Sequence, residues 1–228
     1  MPRPRALLFD LDGTMVETDP LHLKVFNVLL EQNGKIAVDF EYYKKNILGK
    51  INSNLFPFLF PEKDAATLFE MGNLKEQMFR DMVGETRLEP VAGLITLLDW
   101  AKENGVSCAI VTNAMRPNAD LMIKSLGLEG RFDALVIGEE LPHGKPHPLP
   151  YLTALAEFGC AAAEAFAFED SLSGLRAAVA AGIPTFGMDS SLPAETLRAA
   201  GAVEVLKNFE DGKLWERLGG KKHLISIT

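Results

Sequence analysis

Two aspartates two residues apart, Asp10 and Asp12, close the apolar run Ala6 to Phe9 and are followed by Gly13 and Thr14. Carboxylates this close repel each other, so something must offset them: a metal ion, a proton on one of them, or both. An Asx-type turn before glycine at a strand end would also produce this stretch taken alone.

Other polar residues stand at matching places. Thr112 and Asn113 follow the apolar stretch Ser107 to Val111, and Glu169 and Asp170 follow Ala165 to Phe168. Lys145 lies in the loop Gly144-Lys145-Pro146-His147-Pro148. Each group has a plain alternative. Thr112-Asn113 can cap the next helix. Lys145 can be a solvated loop lysine. Glu169-Asp170-Ser171 can be capping residues with first-turn acids. Together they supply four carboxylates, an ammonium, a hydroxyl and an amide. Oxygen donors of this kind suit Mg²⁺, which also takes substrate phosphate as a ligand. His143 and His147 flank Lys145 without the spacing of a zinc site, and both read as solvated.

These groups converge only if the strands that carry them are parallel neighbours. Ala6 to Phe9 reads as a strand buried on both faces. From Pro90 onward, strands expected at 107–111, 134–137, 165–168, 183–186 and 203–206 alternate with helices. That alternation argues a doubly wound α/β parallel sheet, whose carboxyl edge binds ligands. Residues 15–88 carry no strand alternation. They read as helices and loops: one helix capped at Thr18 or Asp19 with Pro20 in its first turn, one capped at Asp39, and one from Pro61 to Val83 with a weak point at Gly72. The expected organisation is an α/β core of residues 1–14 and 89–228 with an inserted α-helical cap of residues 15–88. The tail from Gly219 to Thr228 receives no assignment.

The 228 residues are 47% hydrophobic and carry a net charge of −8, so no basic surface suits nucleic acid. An anionic substrate would need local cations or a metal. No window reaches the roughly 18 apolar residues of a membrane span, and the start is too short in apolar residues for a signal peptide. Cys108 and Cys160 have no metal or redox spacing and read as free thiols in a reducing compartment. A cytoplasmic monomer without nucleic-acid or membrane partners is expected.

The chain resembles the haloacid dehalogenase-like superfamily, in its phosphohydrolase branch with a helical cap. Asp10-x-Asp12-Gly13-Thr14, Thr112, Lys145 and Glu169-Asp170 match that family's four motifs in order. Within it the chain is most similar to plant-type sugar-phosphate phosphatases and more loosely to β-phosphoglucomutases, on stretches such as Asp19-Pro20-Leu21-His22-Leu23, Asn46 to Ser53 and Lys145 to Leu152. The resemblance implies that Asp10 attacks phosphorus and forms an aspartyl-phosphate, and that Asp12 protonates the leaving group and then activates water. It implies Mg²⁺ held by Asp10, the Asp12 carbonyl and Asp170, with Glu169 direct or through water. Thr112, Lys145 and Asn113 would stabilise phosphoryl oxygens, and Gly13 and Thr14 would let the backbone approach the phosphate. His22, Lys50, Asn52 and Lys75 are the substrate-binding candidates of the cap.

The implied activity is hydrolysis of a small phosphorylated metabolite, a sugar phosphate or a similar phosphometabolite; the alternative is a β-phosphoglucomutase-like phosphotransferase. A non-catalytic phospho-acceptor module also uses clustered acids and a lysine. It needs neither the helical insertion nor an acid–base group at Asp12. Dehalogenation needs no metal, so Asp12 and the Glu169-Asp170 pair argue against it.

Overall fold

The computed structural model describes residues 3–48 and 50–219. The readings made for Gly49 and for the tail past Gly219 lie outside these residues. In chain order the elements are β1 (Ala6–Phe9), α1 (Asp19–Gln32), α2 (Phe40–Asn46), α3 (Asn52–Leu59), α4 (Ala65–Glu85), α5 (Leu94–Glu103), β2 (Ser107–Thr112), α6 (Arg116–Ser125), β3 (Ala134–Ile137), α7 (Leu149–Glu157), β4 (Ala165–Glu169), α8 (Leu172–Ala180), β5 (Thr185–Met188), α9 (Ala194–Ala199), β6 (Glu204–Leu206) and α10 (Gly212–Arg217).

The six strands form one sheet in the order β3-β2-β1-β4-β5-β6, and every paired neighbour is parallel. This is the α/β architecture expected from the alternation of strands and helices. Parallel strands need crossovers, which bury both sheet faces and favour continuous apolar runs such as Ala-Leu-Leu-Phe in β1, buried at all four positions. One face packs Ala6 and Leu8 with Tyr151, Ala154 and Leu155 of α7 and Ala177 and Ala178 of α8. On the other, Phe9 stacks on Phe168 at 4.9 Å and Phe168 on Phe186 at 5.4 Å, because parallel register aligns these three positions. Such ring pairs add about 0.5–1.5 kcal/mol each beyond their burial.

The described residues divide into two compact units. The first holds residues 3–17, 89–115 and 128–219, and the second residues 18–48, 50–88 and 116–127. The division departs from the expected one at two places. Residues 15–17 go with the sheet, because Val16 bridges to Asp12 and Pro90, and Met15 accepts the Val91 N–H at 2.8 Å. Helix α6, expected in the core, goes with the helical unit. Its Asn118 donates to Glu76 Oε2 of α4 at 2.6 Å and accepts from Arg80 at 2.8 Å.

Local signals explain most boundaries. Asp39 caps α2 by accepting the Tyr42 N–H, and Ser171 caps α8 by accepting the Gly174 N–H. The long helix starts at Ala65, capped by Asp64, and not at Pro61. It runs through Gly72 without a break. The segment with Pro57 is itself a helix, α3, with Pro57 inside it. Strand β5 starts at Thr185 rather than Ile183. The Ile183 N–H closes the end of α8 on Ala178 O, and the Ile183 carbonyl accepts the Thr185 hydroxyl.

Candidate active site

Asp10 stands one residue past β1, and its N–H donates to Phe168 O at 3.0 Å, which extends the β1–β4 ladder by one step. The chain then turns sharply: Gly13 N–H donates to Val16 O at 2.8 Å and Met15 N–H to Leu11 O at 2.9 Å. Gly13 has φ +74°, and a Cβ there would lie 2.2 Å from Asp170 Oδ2. Only glycine satisfies both the left-handed backbone and that approach. The turn is also tied to the end of β5, since Ser190 Oγ donates to Gly13 O at 2.7 Å.

Parallel register brings the other strand ends alongside. Thr112 closes β2 and Glu169 closes β4, with Asp170 next. Asp10, Glu169 and Asp170 are buried and form a cluster whose ligand oxygens, one from each, lie within 4.8 Å of one another. Lys145 reaches into it. Its Nζ donates to Asp10 Oδ1 at 2.6 Å and to Glu169 Oε1 at 2.5 Å. Burial alone would depress the lysine pKa, but Asp10 and Glu169 outweigh it and hold the ammonium above its usual value. Asp10 is raised to about 8: burial pushes it up most, Lys145 pulls it down, and Glu169 and Asp12 add to the rise.

Asp10 and Glu169 thus share one ammonium with Asp170 beside them, so acidic groups outnumber the cation in a buried place. That excess and an all-oxygen donor set fit a hard divalent cation. Histidine and cysteine, the usual zinc ligands, are absent from the cluster.

The remaining sheet-unit candidates take defined places. Thr112 is buried, and its Oγ1 accepts the Ala114 N–H at 2.9 Å in the turn after β2, short of the start of α6 at Arg116. Asn113 is joined to the Lys145 backbone twice: its Nδ2 donates to Lys145 O and its Oδ1 accepts from Lys145 N–H, both at 3.0 Å. Thr14 is fully buried, and its hydroxyl has no hydrogen-bond partner among the described residues.

The four helical-unit candidates are arranged within their own unit. Asn52 Nδ2 and Lys75 Nζ both donate to Glu76 Oε1, at 2.7 and 2.9 Å. The His22 ring stacks on Phe79 at 4.1 Å. Lys50 is exposed, with its ammonium 4.7 Å from the Phe58 ring centroid.

Three residues that the sequence reading passed over belong to these networks. Tyr151 donates its hydroxyl to Glu169 Oε1 at 2.6 Å. Gly174 gives Glu169 room, since a Cβ there would lie 1.8 Å from Oε1. Glu76 of α4 is buried and gathers donors from α3, α4 and α6. Only Tyr151 had a local signal, its place six residues after Lys145 in a stretch already singled out.

Comparison with known proteins supplies the context. Residues 7–188 match the family described as haloacid dehalogenase-like hydrolase. A phosphoglycolate phosphatase of Xylella fastidiosa is 32% identical over 184 residues, which cover 80% of this chain and 79% of that protein. A phosphorylated carbohydrates phosphatase of Thermotoga maritima is 30% identical over 212 residues, covering 90% and 95%. Among solved structures, CbbY of Rhodobacter sphaeroides in complex with xylulose 1,5-bisphosphate superposes with a TM-score of 0.77 at 27% identity, covering 90% of this chain and 95% of that one. No helix among the described residues is long and apolar enough to cross a membrane.

Proposed function

The chain belongs to the haloacid dehalogenase-like hydrolases and is a phosphoric monoester hydrolase of that family, and from that premise we propose that it hydrolyses small sugar phosphates with Mg²⁺, through an aspartyl-phosphate on Asp10. The observation that carries this reading is the Lys145 ammonium set between Asp10 Oδ1 and Glu169 Oε1, beside Asp170, at the edge of the parallel sheet.

Asp10 is the nucleophile. Its carboxylate oxygen bonds to phosphorus as the bond from phosphorus to the sugar oxygen breaks. Asp12 gives its proton to that departing oxygen. Its carboxylate then takes a proton from water, the resulting hydroxide attacks phosphorus, and Asp10 leaves as a carboxylate. Lys145 neutralises part of the charge that gathers on the phosphoryl oxygens. The Thr112 hydroxyl and the second N–H of the Asn113 amide serve the same oxygens. The fully buried Thr14 follows Gly13 in the turn that lets the backbone come close to the phosphate. Asp10, Asp170 and the Asp12 carbonyl would hold Mg²⁺, with Glu169 near it. When bound, the ion supplies positive charge that screens the clustered carboxylates and favours the approach of an anionic ester.

A sugar phosphate is favoured by the phosphorylated carbohydrates phosphatase, which matches the chain across nearly its whole length. His22, Lys50, Asn52 and Lys75 remain the proposed substrate contacts of the helical unit. The deciding experiment is phosphate release across a panel of sugar phosphates and phosphoglycolate, with and without Mg²⁺. Turnover of hexose or pentose monophosphates that requires the ion is expected. Release from none of them would overturn the proposal.

A further inference from the structure

Glu169 has no exposed side-chain surface and is held on all sides. Its Oε1 accepts from Lys145 Nζ at 2.5 Å and from the Tyr151 hydroxyl at 2.6 Å, and its Oε2 accepts from Ser171 Oγ at 3.2 Å. Gly174 of α8 presses so close that any Cβ there would overlap both carboxylate oxygens. Tyr151, on α7, is itself completely buried, and its ring centroid lies 5.2 Å from the Lys145 ammonium. One side chain therefore touches both the acid and the lysine that the acid holds.

We propose that Tyr151 is a positioning residue, which fixes Glu169 and through it keeps Lys145 on Asp10; the proposal rests on the reading of Asp10 as the nucleophile. Asp10 and Glu169 compete for the same ammonium at nearly equal distances. A phenol donating to the same Glu169 oxygen takes up part of that oxygen's charge and weakens its hold on the lysine. An ammonium has three N–H groups, and Asp10 and Glu169 take two, so the third is available to a phosphoryl oxygen. Without the phenol, a wholly buried carboxylate loses a donor it cannot replace from water. Gly174 and Ser171 restrict its rotation. Glu169 recovers the loss by drawing Lys145 toward itself and away from Asp10.

The test is Tyr151→Phe, which removes one oxygen and keeps the ring. We expect kcat to fall about 10- to 100-fold with KM within about threefold of the parent, the scale of losses when an outer partner of a charged site is removed. Binding of Mg²⁺ with beryllium fluoride, a mimic of the phosphoryl group on Asp10, is read by calorimetry and should weaken at least about fivefold. The melting curve should stay close to the parent's. In a Lys145→Ala background the same substitution should not weaken beryllium fluoride binding further, because the phenol acts through the lysine. An unchanged kcat, or equal weakening with and without Lys145, would overturn the proposal. If the phenylalanine variant does not fold, difluorotyrosine placed at 151 keeps the shape and strengthens the donor. Turnover and beryllium fluoride affinity both equal to the parent's would then refute it. Failure of the parent to hydrolyse any ester would instead defeat the hydrolase reading, while the calorimetry still decides the role of Tyr151.

Discussion

The side-chain amide of Asn113 holds the backbone of Lys145 at both ends, donating to its carbonyl and accepting its N–H at 3.0 Å each. The residue after β2 thereby sets where Lys145 begins, and the lysine side chain then spans to Asp10 and Glu169. Asn113→Ala removes both bonds and should cost about 1–3 kcal/mol of stability. Turnover should fall about tenfold through the displaced Lys145. Urea unfolding and phosphate release measure the two effects. Stability lost with full turnover would confine Asn113 to the loop's structure.

Asp10→Asn keeps the shape and removes the proposed nucleophile. Turnover should drop by at least ~10³, as when other catalytic nucleophiles are removed. Near-normal phosphate release by the pure variant would sink the assignment.

Asp170→Ala removes a charged oxygen from the cluster and should raise the Mg²⁺ concentration needed for half activity. Exhaustive chelation should abolish activity in the parent. An unchanged Mg²⁺ titration would place the ion elsewhere.

Glu76 is buried, which alone would raise its pKa, but Lys75 and Asn52 outweigh burial and lower it. A depressed carboxylate stabilises the fold above its unfolded pKa, near 4.5, and the contribution is lost as pH falls through the lower folded value. Glu76→Gln should flatten that part of the acid-unfolding profile. At neutral pH it should destabilise by about 3 kcal/mol, because Lys75 stays buried without its counter-charge. A profile parallel to the parent's below pH 4.5 would contradict the pairing.

What could be read from the residues alone followed chain geometry. Asp10 and Asp12 are neighbours in sequence, and the apolar run before them marks a central strand. Thr112 and Glu169 then follow from the rule that parallel strands end on one edge, and Lys145 lies in a loop that can reach it. Contacts that depend on side-chain direction across long separations were not legible. Tyr151 meets Glu169 across 18 residues, Asn113 meets Lys145 across 32, and Ser190 meets Gly13 across 177. No local pattern announces such pairs. Glu76 was hidden for a different reason: an acid beside a lysine on a helix ordinarily marks a solvated face, and tertiary packing buried this pair. Helix α6 lies between β2 and β3 in the chain, so order alone assigned it to the sheet, whereas Asn118 binds it to Glu76.

The last prediction separates hydrolysis from phosphoryl transfer within a sugar. A mutase and a phosphatase of this family would share the aspartyl-phosphate and differ in the acceptor. A mutase must hold a bisphosphate, which calls for a second firm phosphate site, best made by an arginine fork. The stretch Lys50-Ile51-Asn52-Ser53 has no arginine. Lys75, the other cation considered there, is buried and bonded to Glu76 at 2.9 Å, so its charge is already matched. Lys50 offers a point charge from an exposed position over Phe58. Net hydrolysis with water as acceptor is therefore expected. β-Glucose 1-phosphate with a trace of the 1,6-bisphosphate, followed by phosphorus NMR, should yield inorganic phosphate as the main product. Glucose 6-phosphate accumulating well ahead of free phosphate would overturn the phosphatase reading and favour the mutase.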